Sequence, residues 1–281
     1  MTTTIFLTVL LAAAIHAAWN AVVKSGSDKL ATTALVAGAA GLMSAFALPF
    51  LPLPAPASWP YMAASVFLQV SYYVLVAKAY QQADMSQAYP LMRGTAALLV
   101  ALFGAVALRE RVPTLAMAGI FMIGGGIAGM AFIGRKAGGR RGMFLALANS
   151  VVIATYTVVD GIGVRHSGSA ASYTAWLFAL SALPLIGGLA AVRGAALWRY
   201  AQAHFGSGLC GGAGTLASYG LALWAMTLAP VAMVAALRET SILFGIAIAA
   251  WVLKERVDRA RVALAAAVAL GAVLLRLSSS A

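Results

Sequence analysis

The chain of 281 residues is 63% hydrophobic and only 9% charged, and it carries a formal net charge of +12. A soluble domain would need about a quarter of its residues charged to hydrate its surface, so this composition excludes a soluble globular protein. The mean hydropathy of +0.93 agrees. Nucleic-acid binding is disfavoured, because the basic residues lie in short connectors between apolar runs and not along one solvated face. The single cysteine, Cys210, excludes a disulfide framework and cysteine-rich metal sites.

Ten apolar runs follow one another along the chain, each long enough, at roughly 20 residues, to cross a membrane as a helix. Their length and their richness in Ala, Leu and Gly, without the alternation typical of strands, favour helices. The first run lacks a preceding basic segment and a following small-residue cleavage site, so we expect a retained helix and not a signal peptide. The predicted spans are 4–23, 31–50, 59–80, 87–108, 113–133, 142–161, 171–191, 205–226, 231–252 and 259–277.

Polar, proline-rich and basic segments separate these runs. The polar turn 24–29 ends the first span, and the prolines between residues 49 and 60 make a stiff connector before the third. Pro113 and Pro230 stand where the fifth and ninth spans begin, and there a missing amide proton costs nothing. The basic connector 134–141 divides the chain into two halves of five spans, which predicts one domain at 1–133 and a second at 142–277.

The two halves share a pattern at a constant spacing of 145 residues. Arg93 matches Arg238 and Glu110 matches Glu255, with an ungapped apolar run between the two members of each half. Such duplication is common in secondary transporters, whose substrate sites lie between the repeats. We therefore expect the halves to superpose about a pseudo-two-fold axis in the membrane plane, with Arg93 on Arg238.

Three short motifs carry a family resemblance. They are Ala-Ala-Trp-Asn at 17–20 in the first span, Leu-Arg-Glu-Arg-Val at 108–112 and Leu-Lys-Glu-Arg-Val at 253–257. With the ten spans, they make the chain resemble, over essentially its whole length, the drug/metabolite transporter superfamily, specifically proteins built of two EamA domains. The resemblance implies an all-α membrane protein whose ten transmembrane helices form two inverted five-helix repeats around a central cavity. It also implies alternating access, an inner-membrane location and export of a small metabolite.

Two indications of membrane orientation disagree. Most of the Lys and Arg in the connectors fall on the side opposite the termini, and the positive-inside rule then places both termini outside. Members of the family that the chain resembles usually place both termini in the cytoplasm. The sequence leaves the orientation open.

Polar and ionisable residues within spans are costly in lipid, so each is a candidate for a functional site. Helical spacing shows which of them share one face of a span. Arg93 and Arg238 are expected to face the cavity, because an unpaired guanidinium in lipid would cost several kcal/mol. The predicted substrate-binding residues are His16, Trp19 and Asn20 in the first span, Tyr72 and Tyr73 in the third, Tyr89 and Arg93 in the fourth, Asn149, Tyr156 and Asp160 in the sixth, Tyr219 in the eighth, and Arg238 and Glu239 in the ninth.

Structural roles compete with functional ones for some side chains. His16 could cap a carbonyl of the preceding turn, and tryptophans near span ends commonly anchor a helix at the membrane interface. Arg109 and Glu110 are predicted to be helix-end charges that reach the interface. Arg238 needs a partner other than Glu239, because adjacent residues point about 100° apart on a helix.

The predicted cavity residues suggest a class of cargo. Two arginines and His16 offer positive charge, Asp160 and Glu239 offer carboxylates, and aromatic rings offer apolar walls, which favours an amino acid or a similar zwitterion. A small anion such as a phosphonate fits nearly as well, and a quaternary ammonium ranks third. A flippase for a lipid-linked metabolite is the closest alternative in architecture. Transport could be coupled to a proton or to a counter-substrate.

Motifs of membrane enzymes and of ATP-driven pumps are absent from the sequence. It contains neither Gly-x-Ser-x-Gly nor His-Glu-x-x-His, and no Gly-rich phosphate loop with its Lys. We therefore expect a secondary transporter and not an enzyme, with no cofactor and no bound metal. The expected partners are a small-molecule substrate and the lipid bilayer, without nucleic acid, in a monomer or a homodimer.

Overall fold

A computed structural model describes residues 1–133, 139–251 and 258–278, and within these ranges every regular element is a helix. The predicted motif at 253–257, which includes Glu255, lies outside the described residues. Two 3₁₀ turns, Leu48–Phe50 and Pro56–Ser58, flank the proline-rich connector. The α-helices are α1 (Thr3–Ser25), α2 (Lys29–Ala47), α3 (Trp59–Tyr80), α4 (Met85–Ala107), α5 (Thr114–Met130), α6 (Arg140–His166), α7 (Ala170–Arg193), α8 (Ala195–Ala203), α9 (Phe205–Met226), α10 (Val231–Arg238), α11 (Ser241–Trp251) and α12 (Arg259–Leu277).

Side-chain caps fix where several of these helices begin. The Asp28 carboxylate accepts a hydrogen bond from the Ala31 amide at 3.0 Å at the start of α2. Ser169 does the same for α7, and Asp258 for α12. Such caps satisfy amides that the first helical turn leaves without partners. The polar residues between spans therefore set helix boundaries as well as breaking the apolar runs.

Each of the ten predicted spans corresponds to a helix, or in one case to a pair of helices. Eight segments of the described chain are long and apolar enough to cross a membrane. A shorter apolar helix, Thr114–Met130, occupies the fifth position, and the glycine-rich α9 occupies the eighth. One helix was not predicted: α8, nine residues long, fills the connector between the seventh and eighth spans.

The helices pack as two related halves. In span order α1 corresponds to α6 and α3 to α9, and the structure packs α1 against α9 and, equivalently, α3 against α6. The second helices of the halves, α2 and α7, pack against each other, and so do the last helices, α5 and α12. Because each half contains an odd number of spans, the second half enters the membrane from the opposite side. The fold is therefore an inverted repeat, as the sequence predicted.

Glycine allows the close approach of the last helices of the two halves. A Cβ atom on Gly119 of α5 would lie 2.7 Å from the carbonyl oxygen of Gly271 on α12, and a Cβ on Gly271 would lie equally close to the Gly119 oxygen. Small residues at such crossings let backbones meet, since lipid tails provide no hydrophobic force to press helices together.

The predicted ninth span, 231–252, is not one continuous helix. It breaks at Glu239 and Thr240 into α10 and α11. At the break the Thr240 hydroxyl donates to the Leu237 carbonyl at 2.6 Å, and the Thr240 amide bonds the same carbonyl at 3.1 Å. Local bonds of this kind compete with the regular helical ladder. Arg238 thus ends a half-helix in the interior, an arrangement that transporters use at substrate sites.

Candidate functional site

A cavity of about 120 Å³ lies between the two halves. Helices α1, α3 and α4 of the first half and α6, α7, α9 and α10 of the second contribute to its wall. This volume is below the roughly 300–1,000 Å³ of pockets for drug-sized ligands, so the cavity suits a small molecule. The lining residues are His16, Trp19, Asn20, Gln69, Tyr72, Tyr73, Tyr89, Arg93, Tyr156, Phe178, Thr215, Ser218, Tyr219 and Arg238.

One face of α1 supplies polar groups to the cavity. The rings of His16 and Trp19 meet edge-on with centroids 5.1 Å apart. The Asn20 side-chain amide donates to the His16 carbonyl at 2.7 Å, which holds this face together. The buried indole Nε1 of Trp19 has no hydrogen-bond partner among the described residues. The wall at α1 therefore presents an unused donor.

Aromatic rings from α3 and α6 form a second wall. Tyr72 meets Tyr73 at a centroid distance of 5.1 Å and Tyr156 at 6.2 Å, both edge-to-face. This arrangement is the one that ring quadrupoles favour. It gives the cavity a rigid, largely apolar side whose ring faces can accept a cation.

Arg93 and Glu239 form an ion pair that joins the two halves. The Arg93 Nε donates to one Glu239 carboxylate oxygen at 2.9 Å, and Nη2 donates to the other at 2.5 Å. The two residues are only 7% and 8% exposed. In this bidentate geometry, both donors on the Nε–Nη2 edge of the guanidinium are occupied. Glu239 thus neutralises Arg93, although Arg93 also borders the cavity.

Asp160 lies behind the cavity wall and is held by two tyrosines. Tyr173 donates to one carboxylate oxygen at 3.0 Å, and Tyr219 donates to the other at 2.5 Å. Asp160 is fully buried, whereas the Tyr219 ring lines the cavity. The guanidinium carbon of Arg238 lies 5.1 Å from the centroid of that ring. Asp160 therefore orients the tyrosine against which Arg238 rests.

Arg238 differs from Arg93 in having no carboxylate partner among the described residues. It is 4% exposed, and its buried Nε and Nη1 atoms have no hydrogen-bond partner in the described part of the chain. Buried guanidinium groups are normally paired, since an unpaired charge away from water is costly. The cavity therefore contains one buried positive group with donors to spare.

Most of the predicted site residues line this single cavity. The exceptions are Asn149, Asp160 and Glu239, which lie behind the wall. Asn149 is fully buried and donates to the sulfur of Met92 at 3.1 Å, while both carboxylates are engaged as described. The expectation that a carboxylate faces the cargo therefore needs correction, because intramolecular donors already occupy these oxygens.

The cavity wall also includes residues outside the predicted set, namely Gln69, Phe178, Thr215 and Ser218. Three of them lie on helices whose tyrosines were predicted, at positions compatible with the same stripe. Phe178 on α7 is an ordinary apolar residue in an apolar span, and its sequence context contains no signal of a site.

A second polar cluster ties Glu110 to the start of α10. The Glu110 carboxylate accepts from the Val231 amide at 3.0 Å and pairs with Arg165 at 2.8 Å. Arg165 in turn donates to the carbonyls of Met226 at 2.8 Å and Ala229 at 3.0 Å. The prediction of Glu110 as a simple interface charge was wrong, because it caps a helix of the other half. The sequence feature that could have indicated this role is the position of Glu110 in the motif at 108–112, which recurs at 253–257.

No metal site accompanies these clusters in the described residues, where no group of three or more His, Cys, Asp or Glu could hold an ion. The residues that line the cavity offer positive charge, hydrogen-bonding groups and aromatic surface.

Comparisons with known proteins agree with this architecture. No curated protein matches the sequence. Twenty-seven chains of solved structures match it. One of them, titled only "Crystal structure of protein", is 19% identical and superposes with a TM-score of 0.72 over 98% of this chain and 96% of its own, which shows a shared fold. The EamA-like transporter family matches residues 3–132 and again residues 140–277. Because these two matches cover nearly the whole sequence, the chain belongs to the EamA-like transporter family and is a multi-pass membrane transporter.

Proposed function

We propose that the protein carries a small hydrophilic metabolite across the membrane by alternating access, with the central cavity as its binding site. The observation that carries the proposal is that residues of both halves line one cavity beside the break between α10 and α11. Substrate sites of transporters with inverted repeats lie at such interfaces, where rocking of one half against the other changes the exposed side.

The proposed cargo is an amino acid or a similar zwitterion. Arg238 offers positive charge for a carboxylate, and the rings of Tyr72, Tyr73 and Tyr156 offer faces for an ammonium group. The ammonium would rest on these rings and not on a carboxylate, because Asp160 and Glu239 are engaged within the protein. A small anion such as a phosphonate is the second candidate, and the same unpaired guanidinium favours it.

Export across the inner membrane is the proposed direction. Its support is the family resemblance of the sequence motifs, since a binding cavity alone is symmetrical with respect to direction. Transport is coupled either to a proton or to a counter-substrate. Flux measurements with and without a pH gradient distinguish these two alternatives.

A ligand screen followed by a flux assay tests the proposal. A ligand that binds only the folded protein raises its melting temperature, so purified protein is screened against amino acids, methylphosphonate and choline. We expect small amino acids to stabilise it most and to exchange across proteoliposomes that contain it. Stabilisation by choline alone would contradict the cargo class. Binding without flux above that of protein-free liposomes would contradict transport.

A further inference from the structure

We propose that the guanidinium of Arg238, together with the indole N–H of Trp19, forms an oxyanion subsite that binds the carboxylate or phosphonate group of the cargo. This inference rests on the proposed function and deepens it, because it assigns one end of the ligand to named donors. It also separates two arginines that the sequence repeat treats as equivalent.

Arg93 is not suited to this role. Its Nε and Nη2 atoms already bind both oxygens of Glu239. An anion that approached Arg93 would meet a group whose charge is compensated and would compete with a buried intramolecular carboxylate. Arg93 therefore joins the halves, while Arg238 is left with unused charge.

The donors of the subsite come from Arg238 and Trp19. Arg238 Nε and Nη1 are buried without partners among residues 1–133, 139–251 and 258–278, and so is Nε1 of Trp19. Both residues line the same cavity, from α10 and α1. A guanidinium and an indole have donors and no acceptor, so only an acceptor group can satisfy them. A negatively charged oxygen pair matches the planar fork of a guanidinium best.

The guanidinium of Arg238 rests on a fixed support. Its carbon lies 5.1 Å from the centroid of the Tyr219 ring, and the Tyr219 hydroxyl is bound to the buried Asp160. This chain of contacts holds the guanidinium in place before a ligand arrives, which lowers the entropy lost on binding. Asp160 is a positioning residue in this arrangement, since its oxygens do not reach the cavity.

The test compares three probes on the purified full-length protein. Alanine and methylphosphonate carry an oxyanion, whereas alaninamide keeps the size and the ammonium of alanine but has no carboxylate. We expect both oxyanions to bind the wild type, as a rise in melting temperature and by titration calorimetry, and alaninamide to bind at least ten-fold more weakly. Binding of alanine with no effect of methylphosphonate would identify a carboxylate site, and the reverse would identify a phosphonate site.

Variants identify the donors. Arg238→Lys keeps the charge but loses the fork, and we expect a roughly ten- to a hundred-fold loss of oxyanion affinity. Trp19→Phe, which removes the indole donor but keeps an aromatic ring, should lose less. Arg199→Gln removes an exposed arginine of α8 and is the matched control, with wild-type affinity expected. Arg238→Gln should abolish oxyanion binding while the ligand-free protein keeps a single cooperative melting transition, because the Nε and Nη1 atoms bind no other described residue.

Three results would overturn the subsite. They are wild-type oxyanion affinity in Arg238→Gln, equal binding of alanine and alaninamide, and failure of both oxyanions to bind the wild type. Flux separates this inference from the proposed function. Transport of a ligand without an oxyanion would refute only the subsite, and oxyanion binding without transport would refute only the proposed function.

Discussion

The ion pair of Arg93 and Glu239 joins the two halves of the protein beside the cavity. Helical spacing and cost in lipid predicted that Arg93 and Arg238 would border the cavity, and both do. The sequence contains no sign that Glu239 reaches Arg93, because the two lie on different halves and the contact depends on the break after α10. The sequence pattern therefore predicted where the two arginines lie but not that Glu239 pairs with Arg93.

Removing one member of this ion pair should destabilise the protein strongly. We expect Arg93→Gln to lower the free energy of unfolding by about 3–5 kcal/mol, because it leaves the Glu239 carboxylate buried and unpaired. The double variant with Glu239→Gln should recover much of that loss. Thermal melting of wild type, both single variants and the double variant measures the coupling, and additive effects would mean that the two side chains do not interact.

Tyr219 and Tyr173 provide a matched pair of variants around Asp160. Tyr173→Phe and Tyr219→Phe each remove one hydrogen bond to the buried carboxylate, and each should cost about 1–3 kcal/mol of stability. Only Tyr219 lies beside Arg238, and loss of its hydroxyl frees an Asp160 oxygen to attract that guanidinium. Tyr219→Phe should therefore lower oxyanion affinity roughly ten-fold, a loss of about 1.4 kcal/mol. If calorimetry showed the same oxyanion affinity for both variants, the Tyr219 hydroxyl would have no influence on Arg238 through Asp160.

At the scale of helices, α10 is anchored by the first half at both ends. Glu110 caps its first turn, and Arg93 binds Glu239 immediately after its last residue. Length and hydropathy over 231–252 predicted one long span, although this segment contains the polar run Arg238-Glu239-Thr240-Ser241. The break falls within that run, where the Thr240 hydroxyl bonds the Leu237 carbonyl and Glu239 binds Arg93 of the first half, a partner that local sequence does not indicate. In contrast, the other spans were predictable because length and hydropathy alone set them.

Weakening the contact that holds the first turn of α10 should lower ligand affinity, although this turn does not line the cavity. Glu110→Gln removes the negative charge that meets the Val231 amide and Arg165, which should cost about 1–3 kcal/mol of stability. Oxyanion affinity should fall too, because α10 carries Arg238. Arg111→Gln, in the same connector and exposed, is the control and should behave as wild type. Melting and binding curves of Glu110→Gln that match those of Arg111→Gln would remove the anchoring role.

Substitutions at two glycines of α5 test whether glycine serves close helix packing or helix flexibility. Gly119→Ala places a Cβ atom 2.7 Å from the Gly271 carbonyl oxygen, so α5 and α12 must move apart and stability should fall. Gly125→Ala, on the same helix, meets no atom within 4 Å. There alanine should stabilise the helix by up to about 1 kcal/mol. Opposite shifts in melting temperature are expected, and a fall for both would indicate that α5 needs glycine for its flexibility.

For the molecule as a whole, the two halves form one cavity that neither could build alone. The repeat of 145 residues between Arg93 and Arg238 predicted the duplicated architecture, and the helix pairing obeys it. The repeat also implied equivalent roles for the two arginines. The structure breaks that symmetry, since the pair with Glu239 neutralises Arg93, whereas Arg238 has no carboxylate partner among the described residues.

The flux of the ligand that most stabilises the protein tests the central claim most directly. Counterflow of that radiolabelled ligand is measured in proteoliposomes, per folded molecule, for wild type, Arg238→Gln and Arg199→Gln. We predict saturable flux for wild type and Arg199→Gln, and flux no greater than that of protein-free liposomes for Arg238→Gln. Full flux in well-folded Arg238→Gln would contradict this prediction, because the cargo would then cross without the guanidinium that we propose binds it.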